Sequence, residues 1–337
     1  MREALQVLPI EGIGRITPGT DLAEAIATAA PWLRDGDVLV VTSKIVSKSE
    51  GQLVDLPSSV TTDEEREAAR LQVLASETAR VVASRGPTRI VATHHGFVMA
   101  SAGIDNSNVD PSQLVLLPKD PDASARSLRS ALAERFGLDV AVIVSDTMGR
   151  PWRNGLTDVA LGAAGITPIL DHRGEVDPYG NELQLTQMAV VDELAAAAEL
   201  VKGKCDQVPV AVVRGWFDRP LSTDGPGAVA MIRDSESDLF SLGTAEARAL
   251  GLRDAAALGV TGSTRVPVPG LAEPFAFATT TRMSVEPDGI RLTSSDLITL
   301  GVDAHRLLTA LTAAGHRCTL TTTPDAARIE PSSGSWA

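Results

Sequence analysis

Aromatic residues make up only 3% of this 337-residue chain, with a single tyrosine. That scarcity argues against a stacking platform for single-stranded nucleic acid, which needs several exposed rings. Cysteine is nearly absent: Cys205 and Cys318 lie far apart and form neither the paired spacing of a zinc site nor a redox motif, which fits a reducing cytoplasm. No apolar run is long enough to cross a bilayer. The first residues lead to Pro9, Glu11 and Gly12 with no sustained apolar stretch ending in a small-residue cleavage site, so no export signal is visible and a cytoplasmic location is expected. Positive charge is in deficit: the formal net charge of -13 would repel nucleic acid or an anionic membrane at long range. Any anionic substrate must therefore meet a local cluster of Lys and Arg. A Walker A loop is missing too, since Lys204 is followed by Cys205 and not by Ser or Thr.

What is present is an ordinary globular composition, 44% apolar and 22% charged. Short runs rich in valine or isoleucine at 38–41, 90–92, 140–144 and 208–213 read as buried strands. Helical patterns fill 63–83, acidic in its first turn, 123–136, stopped by Gly137, and 187–201, stopped by Gly203. Alternating helix and buried strand favour a layered domain of α/β or α+β class, with strand order left open. The character changes near residue 244, where a helical segment 244–258 runs into a Gly/Pro/Thr/Ser stretch, 259–270. The expected division is a domain at 1–244 and a small C-terminal α/β module at 245–337 of unknown role, with Asp288-Gly289 as a hairpin turn and a frayed tail from 330.

Three segments carry candidate chemistry. In 41–48, a strand runs into hydroxyls and two lysines. Ser43 and neighbouring main-chain groups can bond phosphate oxygens and Lys44 or Lys48 can neutralise them, although polar residues after a strand are more often a solvated turn. At the exit of 140–144, Asp146 and Thr147 offer the oxygen donors that Mg²⁺ or Mn²⁺ prefers; the plainer reading is an Asp that caps a turn. Asp105, within 102–108, can share a metal with Asp146 or simply make a turn. His94 and His95 are adjacent, would face opposite sides of a strand, and read as structural or supporting. Arg150, Arg153 and Arg214 can bind acidic substrate groups or form surface ion pairs.

Six ordered blocks, at 8–14, 35–51, 102–109, 145–155, 177–183 and 208–215, together resemble the coenzyme F420-0:L-glutamate ligase family across about the first 244 residues. The resemblance implies an α+β fold peculiar to that family, neither P-loop nor Rossmann, and an intertwined homodimer. It implies GTP-dependent bond formation between the F420-0 carboxylate and the amine of L-glutamate, through an acyl phosphate, with further gamma-linked glutamates. By the same resemblance, Gly12, Ile13, Gly14, Arg15, Ile16, Ser43, Lys48, Asn108 and Gln207 would contact GTP. Asp105 and Asp146 would bind one divalent ion, Mg²⁺ or Mn²⁺, and Thr147 a second, with K⁺ a further candidate. Asp105, Asp146 and Lys48 would form the catalytic set. Residues 245–337 are too few for the nitroreductase-like domain fused to many actinobacterial relatives, so flavin binding is not expected. The competing expectations are another metal-dependent phosphoryl-transfer or phosphoester-cleaving enzyme and a non-catalytic GTP-binding regulator.

Overall fold

The valine-rich runs become interior strands of a five-stranded sheet. A computed structural model describes residues 4–59, 62–105, 112–204, 206–216, 223–234, 236–257 and 263–332. It falls into two compact units, Met1–Asp238 and Leu239–Ala337. In the first, the strands lie in the order Gln6–Ile10, Val210–Arg214, Val38–Thr42, Ala141–Arg150, Arg153–Ala164. Only the pair Val38–Thr42 and Ala141–Arg150 is parallel; the other neighbours are antiparallel.

Both faces of this sheet are covered, which is why its strands read as continuous apolar runs and not as an alternation with polar residues. Leu39, Val41, Val142, Val144, Val210 and Val212 pack on one face with Ile26, Leu128 and Leu132, from the helices Leu22–Ala29 and Pro121–Phe136. Val38, Val40, Ala141, Ile143, Ala211 and Val213 pack on the other with Val191, Leu194 and Ala198 of the helix Val190–Lys202. The period of two along each strand sorts neighbouring residues to opposite cores. Gly162 admits the helix Pro121–Phe136 close to the last strand, because a Cβ there would lie 2.1 Å from the Pro121 carbonyl oxygen.

The mixed α+β architecture is as expected, and several boundaries are corrected. The helix that opens at Asp63 ends at Ser76, and Thr78–Arg85 is a strand that pairs with Thr88–Thr93. Its start, read from the acidic first turn, is fixed by a capping box, Thr62 Oγ1 accepting from the Glu65 N–H and Glu65 Oε2 from the Thr62 N–H. Its end was not, because β-branched Thr78, Val81 and Val82 follow a cross-strand partner that helical spacing does not reveal. The run 90–92 belongs to this separate three-stranded sheet and not to the central one. Residues 187–189 form a short strand before the helix at Val190.

The second unit has a core of its own, with Phe277, Ile290, Leu292, Leu307, Leu311 and Ile329 buried between the helix Leu297–Ala313 and an antiparallel sheet. That sheet runs Thr281–Glu286, Gly289–Ser294, Ala326–Pro331, Cys318–Thr322. The expected frayed tail is corrected at its start: Glu330 and Pro331 sit in an interior strand.

Candidate active site

The parallel pair delivers the candidate residues to one end of the central sheet. After Thr42, the chain turns directly into the helix Ser43–Ser49, so the hydroxyl and lysine segment is ordered helix and not a solvated turn. Ser43, Ile45, Val46 and Ser47 are buried, and Lys44 and Lys48 are the cations between and beside them. Burial above all pushes the Lys48 ammonium below its ordinary range, helped by the charges of Lys44 and Arg15 and opposed by Asp105. Arg15, Lys44 and Lys48 thus form a basic cluster with one carboxylate at its edge.

That carboxylate is placed by unusual backbone. Ser101, Ala102 and Gly103 all take left-handed conformations, and the next turn brings Asp105 against Val115 through two main-chain hydrogen bonds of 3.0 and 2.9 Å. At Gly103 an added Cβ would meet Leu117 at 2.7 Å, so this turn is also packed too tightly for a side chain. Asp105 Oδ2 reaches Lys44 Nζ at 2.5 Å.

Asp146 and Thr147 lie inside a strand, not beyond its end, because Ala141–Arg150 continues as one arm of a long hairpin with Arg153–Ala164. Alternation puts Asp146 on the face of Val142 and Val144, and Thr147 on the face of Ser145 and Ile143. Burial, and then the nearby Asp158 and Asp105 carboxylates, push Asp146 up to about 6, against a 2.8 Å hydrogen bond from the Thr147 N–H and the charge of Lys204.

On the opposite face, Thr147 stands directly across from Asp158. Its hydroxyl donates to Asp158 Oδ1 at 2.7 Å. The other oxygen, Oδ2, accepts from Ser145 Oγ at 2.9 Å and from Lys202 Nζ at 2.7 Å, and Lys202 also donates to Ser145 Oγ at 2.9 Å. Burial opposes the charge on Asp158, but Lys202 and the hydroxyl donors outweigh it and hold the carboxyl below its usual range. Gly203 follows with φ +61° and ψ -175°, a conformation that L side chains rarely adopt, and this turn sends Lys204 back to donate to the Thr147 hydroxyl and to Glu199 Oε1, the latter at 2.7 Å.

The remaining candidates divide. Gly12 and Gly14 line a cleft of about 530 Å³ with Thr20, Asp21 and Glu24. Ile13 and Ile16 turn their side chains into the core, leaving their main chains for any ligand. Gln207 is exposed with φ +57°, and among the described residues no contact ties it to the cluster. Asn108 and Cys205 lie outside the described residues. His94 and His95 occupy a turn, where each ring bonds a main-chain oxygen, of Ser76 and of Pro118 and Lys119 respectively. Arg214 is held by the buried Asp37 through two hydrogen bonds of 2.7 and 2.6 Å and lies over Trp32, a structural pair and not a substrate ligand. Asp158, Ser145 and the role of Lys202 were not found from sequence. The available signal was a lone carboxylate in an otherwise apolar strand pattern, Asp158-Val159-Ala160-Leu161.

Comparison with known proteins identifies the family. A family model described as F420-0:Gamma-glutamyl ligase matches residues 12–215. The chain is 39% identical to the coenzyme F420:L-glutamate ligase of Methanothermobacter thermautotrophicus over 70% of this chain and 98% of that protein. It is 40% identical to the protein of the same name from Methanopyrus kandleri, over 70% and 97%. A third relative of that name, from Haloarcula marismortui, is 40% identical over 70% and 95%. The family model covers both arms of the site and most of the first unit, and the relatives align over nearly their whole lengths. The chain therefore belongs to the F420-0:gamma-glutamyl ligase family and is an enzyme of the ligase class.

Proposed function

We propose that this protein joins L-glutamate to coenzyme F420-0 with GTP as phosphoryl donor, and adds further glutamates through gamma linkages. The observation that carries the GTP reading is the meeting of two opposed clusters at one end of the parallel strand pair. Lys48, Lys44 and Arg15 face Asp105, and Asp146 lies beside it. A triphosphate and its divalent ions satisfy both signs of charge at once.

The donor set fits such ions. It is all oxygen, and a bound cation would offset both the burial and the neighbouring carboxylates that raise Asp146. Among the described residues no three acidic, His or Cys side chains close around one point. This suits Mg²⁺, which keeps waters and substrate phosphates in its shell beside one or two carboxylates. Asp105 and Asp146 would hold one ion and the Thr147 hydroxyl a second, and these ions would neutralise charge on the transferring phosphoryl group. Because Asp146 and Thr147 project from opposite faces of one strand, two ions suit them better than one.

The chain's own groups then act by alignment. Lys48, half-buried, takes a phosphate oxygen, and Ser43 with the main chain of 12–16 fixes the nucleotide. The γ-phosphoryl group passes to a carboxylate oxygen of F420-0 as its bond to GDP breaks. The glutamate amine attacks the carbonyl carbon of this acyl phosphate, the C–O bond to phosphate breaks, and the amine proton leaves to solvent. The working form is proposed to be a homodimer, which sedimentation equilibrium tests.

The deciding experiment is mass spectrometry of F420-0 incubated with the protein, L-glutamate, GTP and Mn²⁺ or Mg²⁺, omitting each in turn. Glutamate-sized increments that vanish without GTP or metal are expected. GTP hydrolysis that needs no acceptor would point to a phosphoester-cleaving enzyme, and GTP binding without product to a regulator.

A further inference from the structure

Asp158 and Lys202 are both 2% exposed, and the reaction above gives neither a task. A buried ion pair is a weak device for stability alone, since desolvating two charges offsets most of their attraction. What distinguishes this one is its contact with Thr147. A threonine hydroxyl has one proton and two lone pairs. Here the proton goes to Asp158 Oδ1, because a carboxylate can only accept. The lone pairs are turned the other way, where the Lys204 ammonium already donates to one of them. Lys202 and Ser145 occupy Asp158 Oδ2, so the carboxylate is gripped at both oxygens.

We propose that Asp158, clamped by Lys202, is a positioning residue that holds the Thr147 hydroxyl with its proton inward and its lone pairs outward, as an acceptor for a divalent cation. This rests on the metal role proposed above for Thr147. It assigns the buried pair to the polarity of one hydroxyl, a property that shape and packing alone do not set.

The test is a set of Mn²⁺ titrations of the full chain in the presence of GDP, read from the six-line EPR spectrum of the free ion, with thermal unfolding measured alongside in metal-free buffer. In Asp158→Asn, the Lys202 ammonium draws the amide oxygen and turns the amide N–H₂ toward Thr147, whose hydroxyl must then accept and point its proton outward. One of two Mn²⁺ equivalents should weaken by roughly 10- to 100-fold, the usual effect of removing an outer-shell partner. In Asp158→Asn/Lys202→Met, the amide is free to turn its oxygen back to Thr147, and that equivalent should return to near the parent affinity. Lys202→Met alone should lower the melting temperature, because it leaves Asp158 as an uncompensated buried charge, and it serves as the stability control. A purely structural pair would make affinity follow stability through all three variants, which would overturn the proposal. Two unaltered equivalents in Asp158→Asn would also overturn it while leaving the metal reading intact. A parent protein that binds no Mn²⁺ would remove both. Should Asp158→Asn not fold, Asp158→Asn/Lys202→Met decides, and loss of an equivalent there overturns the proposal.

Discussion

At the scale of single residues, the clearest contrast is between charges held for chemistry and charges held for structure. Asp146 is half-buried beside other carboxylates, no lysine among the described residues lies at ion-pair distance from it, and replacing it removes a proposed metal ligand and no core group. Asp146→Ala should leave thermal unfolding nearly unchanged and lower glutamate addition by roughly three orders of magnitude, the rate equivalent of several kcal/mol of charge stabilisation; normal turnover in the folded variant would sink the assignment. Arg214 is the opposite case, spent on the fully buried Asp37. Arg214→Ala should cost about 3 to 5 kcal/mol in denaturant unfolding, because Asp37 is left as an uncompensated charge, with no change in the KM for glutamate among molecules still folded. Sequence separated these two only partly. Asp146 was legible because an acid after a run of valines is an uncommon place for charge. Arg214 sits at the same kind of position, and its partner lies 177 residues away, beyond any local pattern.

At the scale of elements, the central strands were legible and the peripheral ones were not, for one physical reason. Strands buried on both faces must be apolar at every position, which marks 38–41, 140–144 and 208–213 without reference to a partner. The strand Thr78–Arg85 is half exposed, and its identity depends on Thr88–Thr93 across the hairpin, so helical spacing runs on through it in the sequence. The same double burial makes the central strands sensitive. Ile143 has no exposed surface and fills the core beneath the helix Val190–Lys202. Ile143→Ala should destabilise the protein by about 2 to 5 kcal/mol in urea or guanidinium, through lost burial and the cavity left behind. A cost under about 1 kcal/mol would mean that the neighbouring side chains collapse into the space.

At the scale of the whole molecule, the candidate site and the family match both lie within Met1–Asp238, while the second unit keeps a separate core. The three relatives named above align over 95% or more of their own lengths with 70% of this chain. A chain cut after Asp238 should therefore fold and still add glutamate to F420-0; loss of activity in a folded, truncated protein would give the second unit a part in the reaction. Both units also share an arrangement with a consequence for how they are made. In the first, Val210–Arg214 inserts between Gln6–Ile10 and Val38–Thr42, and in the second Ala326–Pro331 inserts between Gly289–Ser294 and Cys318–Thr322. Each sheet is thus closed by a strand that leaves the ribosome after the two it joins. Gln6–Ile10 must wait, unpaired, through more than two hundred residues of synthesis, which exposes a nascent apolar edge to chaperones before either unit can shut.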